Sequence, residues 1–363
     1  VNANPWEQRK LGDVLDDMYN GQTPSRNKSE YWNGNIKWLS SGELNRGTVY
    51  DSMEMITEDG QKSANLRIVP KGTFIMAITG LEAAGTRGNC ALLGFDTTLN
   101  QSCMALFPKK DLLTSDFLFQ WYRKVGEEYG INYTQGTKQQ SYNAELIKIL
   151  PISLPSVAEQ RKIASYLSNL DHLITLHQRK CDEVKSLKKY MLQKMFPQNE
   201  QKVPEIRFEG FTEAWEQRKF GDLVEKYEDP VVTPTEGYTR LGIRSHAKGT
   251  FHSYVEKGKE LETAKMFRVA SDKFIVNITF GWEHAVAITD ENDAGKLVSH
   301  RFPQYSFNAG MIPKFFRYLI LDKKFKHHLE LSSPGGAGRN RVLKLSDMLE
   351  YKMNFPCEEE QRK

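Results

Sequence analysis

The sequence is poor in the features that mark secreted, membrane-spanning and zinc-binding proteins. It has four cysteines in 363 residues, and none of them forms a CxxC pair. This usage disfavours a disulfide framework or a structural zinc site and favours a reduced, cytoplasmic compartment. No apolar run approaches the ~18–20 residues that span a bilayer. The N-terminal residues also lack the apolar stretch of a signal peptide, so we expect no membrane association.

Motifs of several catalytic classes are also missing. The sequence contains no GxxxxGK[ST] phosphate loop, no HExxH zinc motif and no GxSxG nucleophile elbow. An Asp-Pro-Pro-Tyr-like tetrapeptide, of the kind that amino-methyltransferases use, is absent as well. We therefore predict that this chain carries neither catalytic residues nor a metal site.

The net charge of the chain is confined to a single segment. The whole chain has a formal net charge of +4. Residues 158–196 contain eight Lys or Arg and four Asp or Glu, so they account for all of it. If the rest of the chain binds nucleic acid, it must do so with local patches, because its overall charge gives no attraction.

Two phrases of the sequence occur twice. Trp-Glu-Gln-Arg-Lys at 6–10 returns at 215–219, and a Pro followed by Glu-Gln-Arg-Lys at 155–162 returns at 356–363. The repeat unit is about 200 residues long, whereas solenoid repeats run to roughly 20–50 residues. The spacing therefore indicates two homologous domains in tandem.

The segments between the phrases repeat too. Short β-like runs at 73–78 and 273–278 lie at an offset of 200 residues, and helical patterns at 115–129 and 311–331 occupy equivalent places. A mixture of short strands and helices of this kind predicts an α+β fold in each unit.

A long helix is predicted between the two units, over 156–196. Ser156 and Glu159 form a capping-box pattern after Pro155, and apolar residues then recur in heptads. At 1.5 Å per residue this helix is roughly 60 Å long, and its narrow apolar seam calls for a partner helix. The second phrase begins a similar helix at Pro356, but the sequence stops at Lys363, so we expect the second helix to be truncated. The first unit also lacks the lead-in found at 203–211, which suggests a clipped N-terminus.

Each unit carries polar, Gly-punctuated loops that suit nucleic-acid binding. Gln and Asn can pair with adenine and Arg with guanine, while Lys, Ser and Thr suit phosphates. Taken singly, each such side chain is more often a solvated surface residue, and Tyr31, Trp32 and Trp38 fit packing better than base stacking. The evidence for nucleic-acid binding is the pattern as a whole: polar loops recur at equivalent positions of the two repeats, but their residues differ. The candidate DNA contacts are Gln22, Thr23, Ser25, Arg26, Lys28, Arg46, Arg87, Lys138, Gln139, Gln140, Arg240, Arg244, His246, Lys248, His284, Arg301, Arg339, Asn340 and Arg341.

The chain resembles the specificity subunit of bacterial type I restriction-modification systems. The resemblance rests on the turn at 21–26 with Tyr31 and Trp32, on the Pro…Glu-Gln-Arg-Lys phrase that opens a long helix, and on the duplication. It implies target recognition domains at 1–153 and 198–354, a spacer helix at 154–197, and the start of a second helix at 355–363.

The resemblance also implies a function and partners. Each domain would read one half of a bipartite, asymmetric site in double-stranded DNA, and the helices would set the gap between the halves. Two methyltransferase subunits would dock on the helix and bring S-adenosylmethionine, and restriction-translocase subunits would use ATP and Mg²⁺. The chain itself would hold no cofactor. The alternative is a non-catalytic scaffold with two protein-binding domains. An enzyme acting on nucleic acid is disfavoured by the missing motifs.

Overall fold

A computed structural model describes residues 6–83, 85–136, 140–198, 201–259, 265–335 and 341–363. The chain divides into two compact units, Val1–Lys180 and Cys181–Lys363, and the division falls inside the long helix. The domain limits expected from the sequence stay predictions. Within the described ranges, no helix combines the length and apolar character needed to cross a bilayer.

Unit 1 mixes short strands with four helices in its described part. Its strands are β1 (Glu7–Lys10), β2 (Leu15–Asn20), β3 (Trp32–Leu39), β4 (Thr48–Val49), β5 (Glu54–Ile56), β6 (Phe74–Ala77), β7 (Cys90–Leu93), β8 (Thr98–Leu99), β9 (Cys103–Pro108) and β10 (Pro151–Leu154). Its helices are α1 (Glu58–Ser63), α2 (Ser115–Asn132), α3 (Ala144–Lys148) and α4 (Val157–Lys194), the last of which continues into unit 2.

The core of unit 1 lies between α2 and a five-stranded sheet of order β2-β9-β6-β7-β4. All four residues of β6 are buried, and Phe74 meets Tyr122 of α2 edge to face with ring centroids 5.6 Å apart. Helix α2 begins where the Thr114 hydroxyl accepts a hydrogen bond from the Phe117 N–H at 3.2 Å. A second sheet, β5-β3-β8, carries Trp38, which is buried as its predicted packing role requires.

Unit 2 repeats this plan with additional strands. Its strands are β11 (Glu216–Lys219), β12 (Val224–Tyr227), β13 (Pro230–Val231), β14 (Tyr238–Ile243), β15 (Thr250–Val255), β16 (Met266–Arg268), β17 (Lys273–Val276), β18 (Val286–Ile288), β19 (Leu297–Ser299), β20 (Gln304–Phe307) and β21 (Lys352–Phe355). Its own helices are α5 (Pro313–Leu319), α6 (Lys323–Leu331), α7 (Leu345–Leu349) and α8 (Glu358–Gln361).

The sheet orders of the two units match. The four-stranded order β12-β20-β17-β18 reproduces β2-β9-β6-β7, and β14 runs parallel to β19 as β3 does to β8. The predicted strands at 73–78 and 273–278 are therefore confirmed as β6 and β17. The single helical pattern at 311–331 forms two helices instead, because the Asp322 carboxylate accepts a hydrogen bond from the Lys324 N–H at 3.1 Å and starts α6.

In each unit the first repeated phrase forms a strand that pairs with the strand leading into the second phrase. Strand β1 is antiparallel to β10, with Glu7 opposite Leu154, and β11 is antiparallel to β21, with Glu216 opposite Phe355. The first phrase thus closes the domain against the strand that leads into the second phrase. This pairing brings the beginning and the end of each unit together.

Helix α4 confirms the predicted long helix within two residues at each end. The Ser156 hydroxyl accepts a hydrogen bond from the Glu159 N–H at 3.3 Å, as the capping pattern predicts. Only Gln160 and Ala164 are buried along its 38 residues. Apolar seam residues such as Ile174 (55% exposed) and Val184 (51% exposed) are solvent-accessible, which leaves the seam available to a further helix or subunit.

Candidate nucleic-acid interface

The candidate loops of unit 1 emerge from one end of its five-stranded sheet. At this end β2 finishes at Asn20, opposite Met104 near the start of β9. Ala77, the last residue of β6, lies opposite Cys103. Cys90, the first residue of β7, is paired with Met76. The turn at 21–31 and the loops at 78–89 and 100–102 are therefore neighbours.

The turn at 21–26 is fixed by backbone contacts. The Gln22 N–H donates to the Leu99 carbonyl at 3.0 Å, and the indole N–H of buried Trp38 donates to the Gln22 carbonyl at 3.0 Å. Gly21 fits so tightly that a Cβ atom there would lie 2.1 Å from the Leu99 carbonyl oxygen. The sequence thus places a glycine where the turn crosses the neighbouring strand.

Arg26 is held by this turn and does not project freely. Its guanidinium makes a two-pronged ion pair with Glu54 and stacks on the ring of Trp32, 3.7 Å from the ring centroid. The Trp32 indole N–H in turn donates to the Ser25 carbonyl at 3.1 Å. The hydrogen bond from Arg26 lowers the pKa of the Glu54 carboxyl. Arg26 therefore braces the turn, and because its side chain is still 52% exposed, its predicted DNA contact stays a prediction.

Four other predicted residues of this turn line one open cleft. Gln22, Thr23, Ser25 and Lys28 lie around a space of about 550 Å³. Its other wall is formed by Tyr31, by Ser63 at the end of α1, and by Ala64 and Asn65, which follow this helix. This wall was missed from the sequence, although an Asn directly after the C-cap residue of a short helix, here Ala64, is a known signal of a left-handed cap. Asn65 has that conformation, with φ of +47°.

Arg46 and Arg87 lie in loops that are linked through carbonyl groups. Arg46 adopts a left-handed conformation, with φ of +59°, and its guanidinium donates to the Arg87 carbonyl at 2.5 Å. Arg87 donates in turn to the Glu82 carbonyl at 2.8 Å. Both cations therefore support the loops in addition to any contact that they make with a ligand.

The Gln140 segment joins the same set of loops. The Leu81 N–H donates to the Gln140 carbonyl at 3.1 Å, and the Gln140 N–H donates to the Glu82 carboxylate at 3.2 Å. Lys138 and Gln139, which precede it, lie outside the described residues. The structure thus gathers the predicted loops of unit 1 at one end of its sheet.

Unit 2 presents its loops at the equivalent end. Val276, the last residue of β17, is paired with Val286 of β18, and Gln304 begins β20. The Leu343 N–H donates to the Ile278 carbonyl at 2.9 Å, as the Tyr142 N–H donates to the Ile78 carbonyl at 2.8 Å in unit 1. These two bonds establish the register between the units. They place Arg341 and Gln140, each two residues before the donor, at equivalent positions.

The Arg341 side chain is partly engaged in contacts within unit 2. Its guanidinium donates to the carbonyls of Ser333 at 3.1 Å and Glu330 at 3.0 Å, and it lies over the Trp282 ring. Arg339 and Asn340 lie outside the described residues. Arg341 therefore anchors the loop end at the position where unit 1 has a glutamine.

His284 requires a correction. It is only 4% exposed, and its Nε2 atom lies 2.7 Å from the Ile320 carbonyl oxygen. Burial lowers the pKa of this imidazole, which favours the neutral ring. His284 consequently supports the fold and has no surface for DNA. The sequence could not reveal this, because a polar residue in a Gly-containing loop is usually exposed.

The other candidates of unit 2 are exposed. His246, with φ of +61°, is 200 residues beyond Arg46 and shares its left-handed conformation, and its N–H donates to the Glu283 carbonyl at 2.8 Å. Lys248, two residues beyond His246, is exposed. Arg301 is exposed as well, and its carbonyl accepts a hydrogen bond from the Ile278 N–H, two residues after the end of β17, at 3.0 Å.

Arg240 and Arg244 belong to the hairpin formed by β14 and β15. The Arg240 guanidinium donates to the Ser253 hydroxyl at 2.8 Å, and the Arg244 guanidinium bonds to the Thr250 carbonyl. Both side chains are exposed. Among the residues that the structure describes, no group of three or more His, Cys, Asp or Glu is arranged to hold a metal ion.

A family model for the type I restriction modification DNA specificity domain matches residues 3–186, half of the chain. Curated relatives agree. The type I restriction enzyme MjaIX specificity subunit of Methanocaldococcus jannaschii is 28% identical over 229 residues, covering 60% of this chain and 51% of that protein. The EcoR124I/EcoR124II specificity subunit of Escherichia coli is 27% identical over 173 residues, covering 46% and 41%. The chain thus spans about half the length of these two relatives.

Solved structures show the same fold. The type I restriction-modification system S subunit from M. genitalium superimposes with a TM-score of 0.56 at 14% identity, covering 99% of this chain and 87% of that one. The MjaVIII specificity subunit of M. jannaschii, a further curated relative, is 24% identical over 98% of this chain and 84% of its own length. With matching sheets, equivalent loop ends and a family model over half its length, the chain belongs to the family of type I restriction-modification DNA specificity domains.

Proposed function

We propose that this chain recognises a bipartite sequence in double-stranded DNA, with one half read by each unit. The observation that carries the proposal is the shared register of the two loop ends. Equivalent backbone bonds at Tyr142 and Leu343 hold loops whose side chains differ, with Gln140 in one unit and Arg341 in the other. A common framework with different polar side chains suits two different half-sites.

The exposed side chains have the chemistry for both kinds of DNA contact. Gln22 in unit 1 and Arg301 in unit 2 can approach base edges, for which amides and guanidiniums are suited. The exposed Ser25 hydroxyl suits phosphates. Lys28 and Lys248 are exposed cations that suit phosphates. Arg26 and Arg341 would act mainly by holding loop geometry.

Catalysis would be supplied by partner subunits. We infer that two methyltransferase subunits join this chain and bring S-adenosylmethionine, and that restriction-translocase subunits add reactions that need ATP and Mg²⁺. We assign no residue of this chain to any of these cofactors. The exposed apolar seam of α4 offers a surface for such assembly, and the helix would set the separation of the half-sites. The cytoplasmic location expected from the sequence belongs to the same proposal.

The modular assignment can be tested with two substitutions. Gln140→Ala should change or weaken the first half-site and leave the second intact, and Arg341→Ala should do the reverse. The variants would be expressed with their methyltransferase partner in a host without other adenine methylation, and the methylated sequences would be read genome-wide. If each variant weakens recognition of both half-sites equally, the assignment of one half-site to each unit is refuted.

A scaffold that binds only proteins is the second candidate, and the exposed apolar seam of α4 favours it. Salt separates the two candidates. DNA binding through 6–10 phosphates loses roughly 10³–10⁵ in affinity between 50 and 200 mM salt. The affinity of the assembled complex for DNA carrying the methylated sequence should fall steeply in this range. A complex that binds no DNA at low salt, yet still assembles, would favour the scaffold.

A further inference from the structure

A buried glutamine fastens the beginning of α4 to unit 1. Gln160 is fully buried, and its side-chain amide donates to the Leu112 carbonyl at 2.8 Å and to the Pro155 carbonyl at 3.0 Å. Its amide oxygen accepts a hydrogen bond from the Thr114 N–H at 3.0 Å. One side chain thus joins the entry of α4 to the residue that caps α2.

The same clamp is present in unit 2. Gln361 is 6% exposed, and its amide donates to the Pro356 carbonyl at 2.9 Å and to the Gly310 carbonyl at 3.3 Å. The Ile312 N–H donates to its amide oxygen at 2.9 Å. Ile312 is the N-cap residue of α5, as Thr114 is of α2. The glutamine of the repeated Glu-Gln-Arg-Lys phrase therefore has the same three bonds in both units.

These bonds connect the helix to the recognition loops. Helix α2 packs on β6 through Tyr122 and Phe74, and β6 leads into the loop at 78–89. A buried amide whose partners are fixed backbone groups has one low-energy orientation, because any other leaves buried polar groups unpaired. Together with the two-pronged ion pair between Arg123 of α2 and Asp171 of α4, the clamp thereby fixes the angle at which α4 leaves the sheet of unit 1.

We infer that Gln160 and Gln361 are positioning residues, and that Gln160 sets how strictly the complex selects the spacer between its two half-sites. This inference rests on the proposed DNA-recognition function. With the clamp loosened, α4 is tied to α2 mainly by the partly exposed Arg123–Asp171 pair, so it leaves unit 1 over a wider range of angles. DNA with a spacer one base pair shorter or longer then becomes an acceptable substrate, while the bases read by each unit stay the same.

Amide hydrogen exchange on the full chain tests the clamp without DNA. In Gln160→Met, which keeps the length of the side chain and removes its hydrogen bonds, the Thr114 amide should exchange at least about tenfold faster. The Ile312 amide should be unchanged, and Gln361→Met should show the reverse pattern. Asn169→Met is the matched control, since Asn169 is an exposed amide on the same helix. Unchanged Thr114 exchange in Gln160→Met would overturn the clamp.

Spacer selectivity is measured on the assembled methyltransferase complex. A plasmid library would carry both half-sites with the natural spacer and with one base pair added or removed. The ratio of methylation at the natural spacer to that at its neighbours should fall about tenfold in Gln160→Met and stay unchanged in Asn169→Met. Fast Thr114 exchange with full spacer selectivity would refute the positioning role. If the wild-type complex methylates no two-part sequence, the proposed function fails while the exchange result still decides the clamp.

Discussion

Substituting Gly21 tests whether close packing of the turn at 21–26 is needed for half-site recognition. An alanine Cβ at this position would lie 2.1 Å from the Leu99 carbonyl oxygen and 2.4 Å from that of Asn100. Both atoms belong to backbone, so they cannot rotate away as a side chain would. The Asn100 N–H also donates to the Leu39 carbonyl at 2.9 Å, which holds this segment against β3. The turn must therefore move outward by about 1 Å or more to reach ordinary contact.

The cost follows from the contacts that this movement breaks. Loss of the bond from the Gln22 N–H to the Leu99 carbonyl removes about 1 kcal/mol, and overpacking adds about 1–3 kcal/mol. We expect Gly21→Ala to destabilise unit 1 by about 2–4 kcal/mol. The displaced turn also carries Gln22 and Ser25 away from the cleft, so methylation should weaken through the first half-site alone.

The assay is amide exchange of unit 1 in increasing urea, which reports on this unit separately from unit 2. Gly42→Ala is the control, because the nearest atom to its Cβ is the Ser40 hydroxyl oxygen at 3.9 Å. The control should change stability by less than about 0.5 kcal/mol. If Gly21→Ala is as stable as the control and keeps the first half-site, the close packing of this turn has no role in recognition.

Two further predictions concern ion pairs. Glu360 and Arg207 form a two-pronged pair whose side chains are 6% and 11% exposed, so Glu360→Gln should lower the free energy of unfolding of unit 2 by about 3–5 kcal/mol in urea denaturation. The same change at Glu358, which pairs with a largely exposed arginine, should cost less than about 1 kcal/mol; equal losses would contradict the role of burial. Arg26 lowers the pKa of Glu54, so their pair stabilises unit 1 above the ordinary glutamate pKa and is lost as the pH falls through the lowered value. Glu54→Gln should therefore be less stable than the wild type at pH 7, by less than about 1 kcal/mol, with the difference vanishing well below pH 4; a difference that persists in acid would exclude this ion pair as its cause.

The fold could be predicted where the signal was local or duplicated. Ser156 and the heptads predicted α4 because capping and helical periodicity depend on residues close in sequence. The strands at 73–78 and 273–278 were predicted from their common offset. The pairing of β1 with β10 could not be predicted, since it joins residues more than 140 positions apart and neither strand has a pattern that selects its partner.

The candidate site was predictable as a set of loops but not as a set of side chains. The positions of the loops follow from the spacing of glycines and polar residues in the sequence. The exposure and the partners of each side chain depend on its tertiary neighbours. Arg26 meets Glu54, and His284 is buried against Ile320, through contacts that no local pattern encodes. Asn65 has a local signal, the left-handed cap after α1, but its place in the wall of the cleft beside the turn at 21–26 depends on tertiary contacts.

The two units show how one framework can hold different loops. The bonds that set the loop register, from Tyr142 to Ile78 and from Leu343 to Ile278, join backbone atoms and do not depend on side-chain type. The side chain two residues earlier can therefore be an amide in one unit and a guanidinium in the other without a change of register. In contrast, the clamp uses a side chain, and it is the same residue, glutamine, in both units. Specificity can thus diverge at the loop ends, where backbone bonds hold the register, while the glutamine that fixes the helix stays constrained, because its buried side chain supplies the same hydrogen bonds in both units.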